Sequence, residues 1–354
     1  MRIALVAESF YPAVDGATTT VKAVADRLVE NGHTVLVVAP APGLASYRGC
    51  RVARIQTRER VGSQVREVLE GFGPDLVHAT SPGRVGRKAV TWAARAGVPS
   101  LVAQQSPVST LAADRWAGGV GRQADRVVVT AGWMQGRLLD LGVEAPLWAP
   151  GVDTMAFAPH LRDAWLHRAW SRGRSGPRVV VGYVGSLRKR HDVRALAELA
   201  RVPGIRPVVI GDGAQRGWLE ARLPEARFTG ALETGYLTRA MASLDVLVHP
   251  GTVETCCHAL REAAASGVPV VAPRAGGAVD VVRSLETGLL YDPTDQHALA
   301  RAVAAVAGDR HRTLLGERAR ELVVRRDWRV AVDELVEQHY RPLTGQAGSV
   351  AGAA

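Results

Sequence analysis

The sequence predicts an α/β protein made of two Rossmann-like, doubly wound domains that face a central cleft. A chain of 354 residues exceeds what one hydrophobic core usually supports. Short, continuously apolar runs alternate with helical patterns, which is typical of parallel strands covered on both faces. The alternation restarts in the second half of the chain, after a stretch rich in Arg and Ser at residues 161–177. Two parallel sheets in series are therefore expected.

Ten apolar runs are predicted to form the strands, five in each half of the chain. Helices fit between most of them, and residues 17–30 are one example, because Val21, Val24 and Leu28 recur at helical spacing and Gly32 supplies a stop. The predicted strands are Arg2–Ala7, Thr34–Ala39, Leu76–Ala79, Ser100–Ala103 and Arg126–Thr130, then Val179–Val184, Pro207–Gly211, Arg227–Thr229, Val246–His249 and Val268–Ala272.

These patterns predict a first domain at residues 1–165 and a second at residues 166–327. A helix at residues 328–343 is expected to pack back onto the first domain. The tail at residues 344–354, made almost entirely of Gly, Ala and Ser, is expected to be disordered.

The composition excludes several classes of protein. No apolar run reaches the length of about 20 residues that spans a bilayer, and the apolar start is interrupted by Glu8 without a signal-peptide cleavage site. Cys50, Cys256 and Cys257 lack the spacing of a metal or redox motif. We expect a cytoplasmic protein that binds no nucleic acid, since no aromatic and basic residues interleave. The net charge of +10 leaves peripheral contact with the inner face of the membrane open.

Two loops that follow predicted strands are candidate phosphate sites, since ligands of open α/β sheets bind beyond the carboxyl ends of the strands. The first loop ends at Gly16, whose backbone N–H and helix dipole can hold a phosphate, although a turn alone also explains a glycine there. The second, residues 182–191, runs from a glycine-containing strand into four consecutive basic side chains. These would neutralise a diphosphate, or form an ordinary solvated surface.

A third loop, residues 249–263, has the most specific pattern. Glu254 and Glu262 straddle the start of a predicted helix. With Glu254 in the loop and Glu262 in the second helical turn, both can face one cleft, spaced to bind a sugar hydroxyl and the ribose hydroxyls. The helix start near residues 255–258 is expected to offer backbone N–H groups to a diphosphate.

With these motifs the chain resembles glycosyltransferase family 4, the retaining enzymes of the GT-B fold. The mark of this family is a pair of glutamates separated by seven residues, and Glu254 and Glu262 match that pattern. Within the family it is most similar to the GDP-mannose-dependent α-mannosyltransferases. The resemblance implies a retaining hexosyltransferase that moves a mannose-like hexose from a nucleotide diphosphate sugar, GDP-mannose favoured, to a hydroxyl acceptor that is lipid-linked or small and soluble. It also implies that no cofactor or metal is required.

The resemblance assigns roles to individual residues. Gly16 would meet the donor phosphates, Glu262 the ribose, and Glu254 the donor sugar. The implied catalytic residues are Gln105, Glu254 and His191; the implied donor-binding residues are Gly16, Ser186, Arg188, Lys189, Cys256, Cys257, His258 and Glu262; and Tyr11, Asp15 and His78 are implied on the acceptor side.

Departures from the family pattern leave alternatives open. Ser186 and His191 stand where the family has the Arg and Lys that clamp the diphosphate, so Arg188, Lys189 or Arg190, or a protonated His191, would have to supply the charge. Gln105 matches the family, but the acidic residue that usually follows nearby is missing. Residues 109–123, on the acceptor side, are interpreted as shorter than their counterpart. The alternatives are a natural-product or aminocyclitol glycosyltransferase that uses a UDP- or dTDP-sugar, and an inactive nucleotide-sugar-binding partner protein.

Overall fold

The protein divides into two compact units, each built on its own sheet. The computed structural model describes residues 1–13, 15–173 and 176–345. The first unit contains Met1–Gly151 and the chain from Trp328 onward, and the second is Val152–Asp327.

The first unit is a seven-stranded sheet in the order β3-β4-β2-β1-β5-β6-β7, parallel except for the short β3–β4 pair. The strand order reverses beside β1, because the chain steps outward to β2 and β4 on one side and to β5, β6 and β7 on the other. The strands are β1 (Arg2–Ala7), β2 (Thr34–Pro40), β3 (Ser46–Tyr47), β4 (Cys50–Ile55), β5 (Leu76–Thr80), β6 (Ser100–Gln104) and β7 (Arg126–Val129). The helices are α1 (Gly16–Glu30), α2 (Val61–Phe72), α3 (Arg84–Ala96), α4 (Ala113–Trp116) and α5 (Trp133–Leu139), with a 3-10 turn at Thr110–Ala112 and a π turn at Ala117–Gly121.

Both faces of this sheet are buried, which explains its continuously apolar strands. In β1, Ile3 and Leu5 belong to the core on one face, and Ala4 and Val6 belong to the core on the other. Successive side chains of a strand point to opposite faces. A strand covered on both sides is therefore apolar at most of its positions.

The second unit is a six-stranded, fully parallel sheet in the order β10-β9-β8-β11-β12-β13. Its order reverses beside β8 as that of the first sheet does beside β1. The strands are β8 (Val179–Val184), β9 (Ile205–Ile210), β10 (Arg227–Gly230), β11 (Val246–Val248), β12 (Val270–Pro273) and β13 (Gly288–Tyr291). The helices are α6 (Ala164–Ser171), α7 (Arg216–Glu220), α8 (Thr234–Ala242), α9 (His258–Ala265), α10 (Ala278–Val281), α11 (Ala298–Gly308) and α12 (Arg312–Val323), with 3-10 segments at Pro159–Leu161, Lys189–His191, Val193–Arg201 and Val324–Arg326.

The end of the described chain returns to the first unit. Asp333 forms a two-pronged ion pair with Arg27 of α1, at 2.8 and 2.6 Å. The indole N–H of Trp148 donates to the carbonyl of Ala331, at 2.7 Å. Leu335 completes the core above β1. The elements of this segment are α13 (Trp328–Leu335), a π turn at Val336–Tyr340 and α14 (Arg341–Thr344).

Residues 152–165 belong to the second unit, so the expected boundary at residue 165 is too late in the chain. Val152 pairs with Asp327, and Phe157 lies in a core of the second sheet. The Arg162 guanidinium donates to carbonyls of Ala242 and Leu244, at 3.2 and 3.0 Å.

Other expectations differ in detail from the structure. The strands β3, β4 and β13 were not predicted, and α1 begins at Gly16 rather than at residue 17. Of the tail expected to be disordered, residues 346–354 lie outside the described residues, and Thr344 still belongs to α14. No helix in the described ranges is both long and apolar enough to span a bilayer.

Replacing Gly211 with Ala should destabilise the second unit. Gly211 follows β9 with φ +140°, and a Cβ there would overlap the carbonyl oxygen of Gly185 in the loop after β8. Positive-φ strain and this clash should together cost at least about 2 kcal/mol of unfolding free energy in a urea titration. Gly217→Ala is the matched control, because Gly217 lies in α7 with no atom within 4 Å of the added carbon. Equal stability of the two variants would contradict the packing described.

Candidate functional site

In the second unit, the loops after β8 and β11, together with the helix α9, carry most of the predicted site residues. These strands are neighbours, and the strand order reverses at β8. In open α/β sheets the loops at such a reversal diverge, and ligands bind in the crevice between them. The topology therefore makes this edge the first place to look for a ligand site.

Glu254 lies at the centre of this edge, held by two histidines. Its Oε1 is 2.7 Å from His191 Nδ1 and 3.3 Å from His249 Nε2. The Glu254 side chain is only 18% exposed. Burial alone would raise the pKa of this carboxyl, but the contacts with His191 and His249 outweigh it and hold the pKa well below its usual range. Glu254 is therefore ionised at neutral pH.

The Glu254 loop is packed tightly against its neighbours. The Asp192 carboxylate accepts hydrogen bonds from the backbone N–H and the hydroxyl of Thr252, at 2.9 and 2.6 Å. The N–H of Gly277 donates to the carbonyl of Glu254, at 2.8 Å. A Cβ on Gly276, where φ is +58°, would lie 2.7 Å from the Thr252 carbonyl oxygen. The loop after β11 is thus fixed both to the loop after β8 and to the loop after β12.

The helix that follows, α9, begins at His258. Cys257 precedes it in the left-handed conformation, with φ +51°. Cys256 and Cys257 are buried and form no disulfide, and burial raises the pKa of Cys257 well above its usual value. Arg261 anchors this turn, because its Nε donates to the carbonyl of Cys256 at 3.2 Å. The cysteines thus shape the helix start as neutral, apolar groups.

Glu262 lies in the second turn of α9 and is half-buried. Within the described residues its carboxylate makes no hydrogen bond, in contrast to that of Glu254. Burial and the nearby carboxylate of Asp153 raise the pKa of Glu262 to about 7. Such a carboxylate can gain stability from hydroxyl groups of a ligand that donate to it.

The basic run after β8 forms one 3-10 turn, Lys189–His191. Ser186, Arg188, Lys189 and Arg190 are all exposed, and Arg190 Nε lies 3.1 Å from His191 Nε2. The Ser186 carbonyl accepts a hydrogen bond from the Tyr183 hydroxyl at 3.1 Å. The backbone before the turn is therefore held by the buried Tyr183, while the charged side chains of Arg188, Lys189 and Arg190 are exposed to solvent.

The first unit has its own carboxylate at the reversal of strand order. Glu8, directly after β1, accepts hydrogen bonds from the N–H groups of four consecutive residues before and in the first turn of α3. A Cβ on Gly83 would lie 2.8 Å from the Glu8 carboxyl carbon, so this approach requires glycine. The donors are Gly83 at 2.8 Å, Arg84 at 3.0 Å, Val85 at 3.0 Å and Gly86 at 2.7 Å. The carboxylate thus satisfies the helix terminus and ties the loop after β1 to the loop after β5.

The remaining residues of the loop after β1 have local roles. Asp15 is the N-cap of α1, accepting from the N–H of Thr18 and the hydroxyl of Ser9, both at 2.9 Å. Gly16 is the first residue of the helix. Tyr11 stacks on Tyr47 with ring centroids 5.8 Å apart. No contact in the structure tests the roles predicted for Gly16, Asp15 and Tyr11.

His78 does not fit its predicted place on the acceptor side. It lies within β5, is 0% exposed, and its Nδ1 is 2.6 Å from the Tyr340 hydroxyl. Burial lowers the pKa of His78 to about 3. The His78 side chain is covered by the returning C-terminal segment and has no exposed surface, so it cannot touch an acceptor.

Gln105 lies just after β6 and is buried. Its backbone N–H donates to the hydroxyl of Ser81 at 2.8 Å, and Ser81 adopts a left-handed conformation with φ +46°. This contact joins the loop after β6 to the loop after β5.

Sequence reasoning missed three features of the site in the second unit, namely Asp153, His249 and the pairing of Arg190 with His191, and it missed Glu8 at the strand-order reversal of the first unit. His249 directly follows β11, so its place after a strand was a usable signal. Glu8 left none, because its partners lie more than 70 residues along the chain. Across the described ranges, no group of three His, Cys, Asp or Glu side chains is arranged to hold a metal ion.

Comparison with known proteins follows the division into two units. The family model "Glycosyltransferase Family 4" matches residues 14–155, and "Glycosyl transferases group 1" matches residues 178–309. A GDP-mannose-dependent alpha-mannosyltransferase of Mycolicibacterium smegmatis is 38% identical, with 98% of each chain covered. The protein of the same name from Mycobacterium tuberculosis is 36% identical, also with 98% of each covered.

Solved structures share the fold at lower identity. Anabaena HepE in complex with UDP has a TM-score of 0.81 at 19% identity, covering 96% of this chain and 99% of that one. Sucrose-phosphate synthase from Thermosynechococcus elongatus has a TM-score of 0.78 at 20% identity, covering 98% and 100%. The two Rossmann-like units are those of the GT-B fold, and the chain belongs to glycosyltransferase family 4.

Proposed function

We propose that this protein is a retaining mannosyltransferase that moves mannose from GDP-mannose to a hydroxyl acceptor. The observation that carries the proposal is the pair of Glu254 and Glu262, on a loop and the following helix at the strand-order reversal of the second sheet. Similarity over nearly the full length to relatives named as GDP-mannose-dependent supports the choice of donor.

The two carboxylates differ in a way that suits two parts of one donor. Glu262, which makes no hydrogen bond within the described residues, would accept from the ribose hydroxyls. Glu254, ionised and held by His191 and His249, would accept from a hydroxyl of the sugar. The basic turn and the N–H groups at the start of α9 would face the diphosphate.

The reaction proposed needs no nucleophile from the protein. The bond from C1 of the sugar to the diphosphate oxygen breaks as the acceptor oxygen bonds to C1 from the same face. The acceptor proton passes to the departing diphosphate. The protein would contribute orientation and stabilisation of the leaving group.

For the acceptor, we propose a lipid-linked hydroxyl reached by peripheral contact with the membrane surface. The exposed side chains of α3 include the cations Arg84, Arg87, Lys88 and Arg95, and the helix has no acidic residue in its first turn. A Mycobacterium tuberculosis relative that is 26% identical carries the name GDP-mannose-dependent alpha-(1-6)-phosphatidylinositol dimannoside mannosyltransferase. A surface of this charge favours anionic lipid.

A second candidate is transfer of another sugar to an aminocyclitol. A 2-deoxystreptamine glucosyltransferase from Streptomyces kanamyceticus is 37% identical over 37% of this chain. The changes at Ser186 and His191 would fit an altered donor.

Nucleotide preference should separate the two candidates. We expect GDP to raise the melting temperature more than UDP or dTDP at equal concentration, since ligand that binds only the folded state stabilises it by mass action. Glu262→Ala should abolish most of the shift. GDP-mannose should then be turned over, with the anomeric configuration of the product read by NMR. A larger shift with UDP or dTDP would favour the aminocyclitol reaction.

Affinity for GDP should rise with pH up to about 7 and then level off. Ribose hydroxyls donate to the ionised form of Glu262, whose pKa in the free protein is about 7, so below that pH binding must first remove a proton. Affinity should therefore fall by up to about ten-fold per pH unit on the acid side. Glu262→Gln is the matched variant, because its amide does not titrate in this range. Calorimetry from pH 5.5 to 8.5 gives the ratio of the GDP affinity of the wild-type protein to that of the variant. Titration of GDP itself cancels in that ratio, so a ratio independent of pH would contradict the role of Glu262.

We further propose that transfer requires no metal ion, because basic side chains would neutralise the diphosphate. Turnover should be unchanged within error after EDTA treatment and on adding back Mg²⁺ or Mn²⁺. Loss of turnover that is restored by one of these ions would overturn this part of the proposal.

A further inference from the structure

A continuous chain of hydrogen bonds links Glu254, His191 and Arg190. His191 Nδ1 lies 2.7 Å from Glu254 Oε1, and His191 Nε2 lies 3.1 Å from Arg190 Nε. A guanidinium nitrogen can only donate. Nε2 must therefore be the acceptor, and Nδ1 carries the proton that is donated to Glu254. We assign this tautomer from the contacts, and it makes the imidazole neutral with both nitrogens occupied.

A neutral His191 cannot replace the charge of a lysine. Its ring instead works as a connector between an anion and a cation. The charge must come from an arginine or lysine of the same turn.

Arg190 differs from its basic neighbours in being held. Its Nε is fixed by His191, while its terminal nitrogens make no hydrogen bond within the described residues. The exposed side chains of Arg188 and Lys189 make no side-chain hydrogen bond to any described residue. Ordering a flexible Arg or Lys side chain on binding costs conformational entropy. Part of this entropy is already lost for Arg190 before a ligand binds, because its Nε is hydrogen-bonded to His191. The planar guanidinium can also bind two phosphate oxygens at once.

The position of Arg190 also matches the order of groups in the donor. In a nucleotide sugar the diphosphate lies between the sugar and the ribose. If Glu254 binds the sugar and Glu262 the ribose, the diphosphate meets two carboxylates of the same sign. A cation tied through one ring to Glu254 would offset that repulsion where it acts.

The geometry points to Arg190 as the side chain that neutralises the donor diphosphate, with His191 as the residue that positions it. This inference rests on the proposed function and deepens it, since it names a charged contact for the leaving group. The arginine of this chain would act one position before the lysine of the family pattern.

The test compares GDP with guanosine, which lacks the phosphates. By calorimetry, Arg190→Ala should weaken GDP binding by about ten-fold or more and leave guanosine binding unchanged. Arg190→Lys should recover part of the loss, because charge returns without the hydrogen bond to His191. The matched control is Arg201→Ala, which removes an exposed arginine from the end of the same unit's Val193–Arg201 segment and should change neither affinity.

Positioning by His191 is tested with His191→Asn. An Asn amide can still donate to Glu254 but is too short to accept from Arg190. Because Arg190 keeps its charge in this variant, we expect it to lose part of the GDP affinity that Arg190→Ala loses, and we expect the double variant to bind GDP no more weakly than Arg190→Ala. Additive losses would overturn the positioning role.

The remaining outcomes separate this inference from the proposed function. If the wild-type protein binds GDP and the Arg190→Ala variant binds it equally well, the role of Arg190 is overturned and the proposed function is not. Loss of GDP binding in Arg188→Ala but not in Arg190→Ala overturns it too. Wild-type protein that binds no nucleoside diphosphate overturns both.

Discussion

Each sheet of this protein reverses its strand order once, and the arrangement of the candidate site depends on that reversal. The loops after β1 and β5, and those after β8 and β11, leave neighbouring strands toward helical segments that pack on opposite faces of the sheet. No strand ladder can join such loops, so side chains must. Glu8 does this in the first unit through the N–H groups of α3, and the pair of His191 and Glu254 does it in the second. The polar groups that join these loops therefore lie at the edge of the sheet where ligands of open α/β sheets bind.

The second unit also shows how one short motif gives two carboxylates opposite properties. Both Glu254 and Glu262 are partly shielded from water, and shielding favours the neutral acid. Contacts with His191 and His249 lower the pKa of Glu254 despite its burial. The pKa of Glu262 is raised further by the like charge of Asp153. One acid is a permanent anion and the other changes charge near neutral pH. The difference arises from neighbours that lie on three separate loops.

Much of this could be predicted from the sequence, because buried parallel strands and a Glu-containing helix start leave strong local patterns. The strands that were missed are those with weak patterns. In β4, Arg51 and Arg54 interrupt the apolar run, since this strand lies near the edge of its sheet, and β13 has only four residues. Contacts between distant segments left no pattern at all. A run of four basic residues could not show that Arg190 is the one paired with His191, and a histidine after an apolar Leu-Val pair could not show that His78 is sealed by Tyr340.

The return of the chain to the first unit has a consequence for folding during synthesis. Trp148 and its partner Ala331 are separated by 183 positions, and the whole second unit is made between them. Until the last helices leave the ribosome, the core above β1 lacks Val332, Leu335 and Tyr340. The second unit, being continuous in the chain, can complete its own core earlier. The usual order, in which the amino-terminal domain folds first, would then be inverted.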